Sequence, residues 1–295
     1  MIPVTPDNAL AALLDWYLAV GVDEAIGDEA IDRFRTPDPI PPPPPAYAEP
    51  AAPLQQRTVH VREALAKPAP RVEGATPVAA VTLDGALTEA RALAAAAQDM
   101  AALEAAIAAF DACPLKATAN RTVIRDGILG APVLVVGEAP GQEEDRLGKP
   151  FVGPAGQMLD RMLGAIGLSR ADNVLITNII FWRPPANRKP TPQEVALCVP
   201  FVRRLIELAQ PKLVLLAGAT AAQALLDRPD GISRLRGQWF DQSTESTAQI
   251  IPTLATYHPS YLLRSPAQKR DAWKDLMIFQ ERLKSLGVLP NSRDN

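Results

Sequence analysis

The chain has 295 residues, is 47% hydrophobic and carries a formal net charge of −3. That length can bury one sizeable core and permits two domains. Its two cysteines, Cys113 and Cys198, are too few for a disulfide framework, and no basic-then-apolar leader or bilayer-length apolar run is present, so a cytoplasmic protein is expected rather than a secreted or membrane-embedded one.

Residues 1–27 contain a short N-terminal helix, read over 7–20 from Asp7 as N-cap and Leu10, Leu13, Leu14, Tyr17 and Leu18 at helical spacing, with Gly21 as its stop. Such a helix either packs back on the main domain or docks a partner. Residues 28–80 read as a Pro-rich flexible linker, marked by the unbroken run Pro41 to Pro45 among Pro37, Pro39, Pro50 and Pro53. The main domain is placed at 81–295. It opens with Ala/Leu/Glu-rich scaffold helices over 83–110, with Asp99 restarting the helix after a break, and its core covers 113–286.

Four apolar strands alternate with helices through that core. The strands are Pro132 to Val136, Asn173 to Thr177, Leu213 to Leu216 and Ile250 to Thr256; the helices are Gly156 to Ile166, Glu194 to Leu208, Ala219 to Leu226 and a last one from about Lys269 to Leu286. Alternation of this kind predicts an α/β domain whose parallel sheet is covered by helices on both faces. Working side chains then gather beyond the carboxyl ends of the strands. Here those residues are the turn Gly137-Glu138-Ala139-Pro140-Gly141, then Asn178, then His258.

Each has a chemical and a bland reading. The Gly137 turn exposes backbone N–H groups to a ligand, or is an ordinary βα turn; it lacks the lysine of a P-loop. Phe151, in a Gly/Pro-rich loop, is a stacking platform or a core plug. Asn178 offers one donor and one acceptor to a planar ligand edge, or satisfies nearby backbone. The loop Arg183 to Pro190, with Asn187 and Arg188, contacts phosphate or is merely solvated. His258 opens the run Pro259-Ser260-Tyr261-Leu262-Leu263-Arg264, an apolar wedge beside a cation of the kind that unstacks a duplex. Charge supports a polyanionic ligand: residues 1–111 hold 16 acids and 7 bases, and residues 112–295 hold the remaining 17 acids and 23 bases. The whole inventory suits recognition of one extruded planar base.

These motifs, Gly137 to Gly141 with Glu144-Asp145, Gly148 to Gly156, Thr177-Asn178, Arg183 to Pro190 and His258 to Leu263, resemble in order and spacing the family 4 uracil-DNA glycosylases, from about Cys113 to the last helix. The resemblance implies a three-layer α/β/α fold on a central four-stranded parallel sheet, uracil-containing DNA as partner, and hydrolysis of the bond between uracil and deoxyribose. It assigns stacking to Phe151, the uracil edge to Asn178, exclusion of thymine's methyl to Glu144, and carbonyl contacts to the backbone at Glu138 and Ala139. It assigns the hydrogen bond to the developing oxyanion to His258 and water placement to Asn187, and it makes Leu262 the minor-groove wedge, with Arg264 and Arg188 touching DNA. Ala139 stands where the best-known uracil glycosylases carry an aspartate, so the base is Glu138 or none.

Family 4 members ligate a [4Fe–4S] cluster with four cysteines. Cys113 and Cys198 match two of those positions, whereas Phe110 and Trp182 occupy the other two, so the cluster is expected to be lost and its site filled by packing. A monomer is the default expectation, with a repair or replication protein as a further partner through the N-terminal helix. Two other classes compete: a non-catalytic uracil- or damage-binding protein on the same fold, and an enzyme acting on free nucleosides.

Overall fold

The computed structural model describes residues 82–244 and 249–290, all within one unit spanning Glu73–Asn295. The expected N-terminal helix and Pro-rich linker lie outside the described residues.

The scaffold region is two helices, α1 (Leu83–Ala96) and α2 (Met100–Ala109), capped by Thr82 and Asp99, whose side-chain oxygens accept the N–H groups of Gly85 and Ala102. Ala86, Ala90 and Ala94 recur every fourth residue on the buried face of α1, so it lies closely along α5 (Pro192–Ala209).

The sheet has six strands: β1 (Arg125–Gly127), β2 (Val133–Gly137), β3 (Val174–Asn178), β4 (Leu213–Ala217), β5 (Trp239–Ser243) and β6 (Ile250–Thr256), in the order β1-β3-β2-β4-β6-β5. The four expected strands form its parallel centre, in the pairs β2–β3, β2–β4 and β4–β6. The sequences VLVVG, VLITN and LVLLA are buried throughout because helices cover both faces. Alternate residues feed two cores. Leu134, Val136, Leu175 and Leu216 face α1, α2, α5 and α6 (Ala219–Leu226), while Val133, Val135, Ile176 and Leu215 face α4 (Pro154–Gly164) and α9 (Lys269–Ser285).

Two further strands flank the expected four-stranded parallel centre. The edges β1 and β5 are antiparallel and pair with β3 and β6. Three short helices are also new: α3 (Gln142–Leu147), α7 (Ile232–Leu235) and α8 (Pro259–Arg264). The central register aligns Gly137 with Asn178 and Ala217 with Thr256, so the segments after all four parallel strands open on one edge. No helix among the described residues is long and apolar enough to cross a membrane.

Candidate active site at the carboxyl edge of the sheet

The site begins where Gly137 has no side chain. A Cβ there would collide with both Asn178 Oδ1 and the Phe151 ring, so a bare backbone lets the amide and the aromatic converge over the end of β2. Asn178 is 1% exposed, and its Oδ1 is buried without a protein partner. An unmet buried acceptor costs about 1–3 kcal/mol, which a ligand N–H would recover. Among the described residues, the N–H groups of Glu138 and Ala139 likewise donate to nothing in the protein. The Glu138 carbonyl instead accepts from Ile180 N (3.0 Å), which ties the turn to the segment after β3.

Phe151 sits at φ +54°, a region costly for a side chain without local polar support, and it is 5% exposed. Several contacts hold it there. Arg170 donates to the carbonyls of Phe151 (2.7 Å) and Pro150 (3.1 Å) and pairs with Asp126 and Asp160. Gly156 lies so close beneath that a Cβ would strike the Phe151 carbonyl. The Phe151 ring faces the His258 imidazole at 5.6 Å between centroids, with planes inclined by 31°. Phe151 thus packs into the core on one side and faces the His258 ring on the other.

Glu144, expected to exclude a methyl group, is 8% exposed. Its carboxylate accepts three backbone N–H groups, from Gly141 (3.0 Å), Val152 (2.9 Å) and Gly153 (2.8 Å), and so cross-ties the turn to the Phe151 loop. Asp145 does the same for the preceding segment, accepting from the Asn120 backbone N–H (2.8 Å) and side-chain amide (2.6 Å) and from Arg121 N (3.0 Å). Both carboxylates shape the pocket from behind.

His258 is the N-cap of α8, and Pro259 fills the first helical position. Ser260 N donates to His258 Nδ1 (3.2 Å), and Ser260 Oγ lies 2.8 Å from the same nitrogen. A backbone N–H can only donate, so Nδ1 is the acceptor and the neutral ring carries its proton on Nε2. Burial pushes the pKa down to about 4; the Glu138 carboxylate opposes this shift and the Arg264 charge adds to it. Gly218, at φ +101°, makes room, because a Cβ there would lie 2.9 Å from His258 Cβ. Glu138 accepts a hydrogen bond from the Thr220 hydroxyl at the start of α6.

Helix formation in α8 changes the wedge. Leu262 faces the core and is 0% exposed, whereas Leu263 is 40% exposed and Tyr261 is 36% exposed. The expected wedge Leu262 is therefore buried, and Leu263 is the exposed leucine of α8. Arg264 is exposed and makes no hydrogen bond or ion pair with any described residue. Arg188, expected on DNA, instead grips Glu194 with two bonds of 2.9 and 2.6 Å, completing the Thr191–Glu194 capping box of α5. Asn187, at φ +53°, lies on the exposed rim loop with its Oδ1 accepting from Arg183 Nε (2.7 Å).

Away from the pocket, Phe110, Trp182, Cys113 and Cys198 are all buried in the core shared by α1, α2 and α5. Phe110 packs edge-on to Phe201 at 5.2 Å, and Trp182 Nε1 donates to Thr122 Oγ1 (3.1 Å). The two cysteines are free thiols; the hydrogen bond between them and burial push the Cys198 thiol well up. Among the described residues, no group of three or more His, Cys, Asp or Glu stands together as a metal site. Two thiols flanked by a phenyl and an indole do not supply the four ligands of a cubane cluster.

Sequence reasoning found the pocket-lining residues but missed Arg170, Gly218, Thr220 and Ser260, whose roles depend on distant partners. Only Ser260 carried a local signal, the Pro at its N-terminal side.

The fold is thus an α/β unit with a parallel centre whose switch edge gathers an aromatic ring, an unmet buried amide oxygen and a neutral imidazole. The chain belongs to the uracil DNA glycosylase superfamily, whose family model matches residues 125–278. It is similar to the type-4 uracil-DNA glycosylase of Pyrobaculum aerophilum, at 36% identity over 61% of this chain and 93% of that one. It is also similar to the type-4 enzymes of Thermotoga maritima, at 41% over 52% and 78%, and of Archaeoglobus fulgidus, at 38% over 57% and 85%. A type-5 uracil-DNA glycosylase of Pyrobaculum aerophilum is 34% identical over 46% of this chain and 64% of its own.

Proposed function

We propose that the protein excises uracil from DNA, hydrolysing the bond between base and deoxyribose and leaving an abasic site for base excision repair. The observation that carries this reading is the buried, unpartnered Asn178 Oδ1 facing the Phe151 wall across Gly137. An extruded uracil stacked on Phe151 would give its N3–H to that oxygen and take a hydrogen bond at O4 from the Asn178 amide. Cytosine reverses both groups, so the amide in this orientation leaves both pairs unmet.

Cleavage moves the bonding electrons onto the uracil ring, chiefly O2, and leaves the sugar cationic. His258 Nε2–H and the free N–H groups of Glu138 and Ala139 stabilise the oxyanion as it forms, with no proton transfer needed. Water then adds to C1′ and gives its proton to Glu138, which Thr220 holds in place. Asn187 is assigned to the approach of that water through its NH2, since its carbonyl is committed to Arg183. Leu263 fills the gap left in the stack, and Arg264 meets phosphate. We assign no step to a metal: Phe110 and Trp182 fill the positions of two cluster ligands.

The test is release of uracil from a labelled oligonucleotide, beside thymine-mismatch and unmodified controls, with His258→Ala and Asn178→Ala in parallel. Release of uracil only, reduced at least a hundredfold in both variants, is expected. Tight binding without release would mark a damage-binding protein, and release from free deoxyuridine a nucleoside enzyme; either overturns the proposal.

A further inference from the structure

A hollow separate from the His258 pocket residues borders α8. Helices α4, α8 and α9 converge there on a cavity of about 600 Å³. Its floor is apolar, built by Met162, Leu262 and Leu276, and Leu263 and Trp273 stand at its rim. Trp273 is 46% exposed, unlike Trp182, which is buried, and Trp239, which stacks on Phe279 at 5.9 Å. Arg161, Lys269 and Arg270 line the same hollow and no carboxylate does. None of these three cations makes a hydrogen bond or ion pair with a described residue.

We propose that this hollow is a second nucleotide subsite, in which an unstacked base of the strand adjoining the extruded uridine lies against Trp273. Its phosphates then meet Arg161, Lys269 and Arg270. This rests on the excision reading above. Three observations select DNA as the occupant. The three charged residues of the lining are all cations, matching a phosphodiester chain. An exposed indole on an apolar floor suits any base face. The hollow also shares an element with the active site, because Leu262 and Leu263 belong to the helix that His258 caps. The five residue-to-residue steps from His258 to Leu263 span ~7.5 Å of helix, within reach of the next nucleotide. Extruding one base removes a stacking partner from its neighbour, and a platform here replaces that partner.

The experiment compares full-length wild type, Trp273→Ala and Trp273→Phe on single-stranded oligonucleotides with one uracil. The substrates carry either normal bases throughout or an abasic residue immediately 5′ or 3′ of the uracil. Trp273→Ala is expected to raise KM about tenfold with kcat unchanged within twofold, Trp273→Phe to recover most of the loss, and the penalty to vanish on one of the two flank-abasic strands. Titration with a uracil-free strand should quench a fluorescence component present in wild type and missing in Trp273→Phe. Equal KM in wild type and Trp273→Ala, or a penalty that persists without either flanking base, would assign the hollow to another partner and overturn the subsite. Should no uracil be released by any form, the excision reading fails, while the quenching still decides the subsite.

Discussion

The proton on His258 is set by its immediate neighbours: the Ser260 N–H occupies Nδ1, and burial disfavours a second proton. Protonating Nδ1 would set two N–H donors against each other, so the ring serves only while neutral. Its pKa of about 4 lies below the ordinary value of 6.5, so the ring ionises only as pH falls through that lower value. Excision rates are therefore expected to be level from pH 8 to about 5 and to fall below that; half-loss near pH 6.5 would refute the assignment. Folding follows the same sign. Between pH 6.5 and 4 the unfolded chain binds a proton that the folded chain refuses, so stability is full above 6.5 and declines toward 4, by at most about 3 kcal/mol. The sequence made His258, Asn178 and Phe151 legible because each follows a strand or sits in a Gly/Pro loop. It could not reveal that Glu144 spends its carboxylate on Gly141, Val152 and Gly153, because such partners are backbone groups present at every position.

At the scale of elements, α8 decides which leucine is exposed. Pro259 and Leu262 are buried three residues apart, as one helical face requires, and this turns Leu263 and Arg264 outward. Leu262→Ala should destabilise the fold by about 2–5 kcal/mol in denaturant titrations. Leu263→Ala should leave stability within about 0.5 kcal/mol and lower excision from duplex more than from single strands. The reverse pattern would restore Leu262 as the wedge. The sequence sets Leu262 and Leu263 side by side, and only the helix that Pro259 opens separates a buried leucine from an exposed one. The central strands were legible as apolar runs closed by Gly or Asn. The edges β1 and β5 were not, because Arg-Asp-Gly and Trp-Phe-Asp-Gln-Ser carry no apolar run and become strands by pairing with β3 and β6.

Across the whole molecule, one face of the sheet is joined to the scaffold helices through the region of Phe110, Trp182, Cys113 and Cys198. The loss of two cysteines was readable at once; the edge-on packing of Phe110 on Phe201 was not, because those residues are brought together only by the folded α5. Phe110→Ala should cost about 3–5 kcal/mol of stability, and anaerobically purified wild type should hold well under one iron per chain. About four irons per chain would refute the packed-site assignment. Carbon packed against carbon needs no delivery step. On the packed-site assignment, a chain joined this way folds without waiting for a cluster-assembly machinery, and its yield and thermal stability are expected to be the same from iron-starved and iron-replete cells.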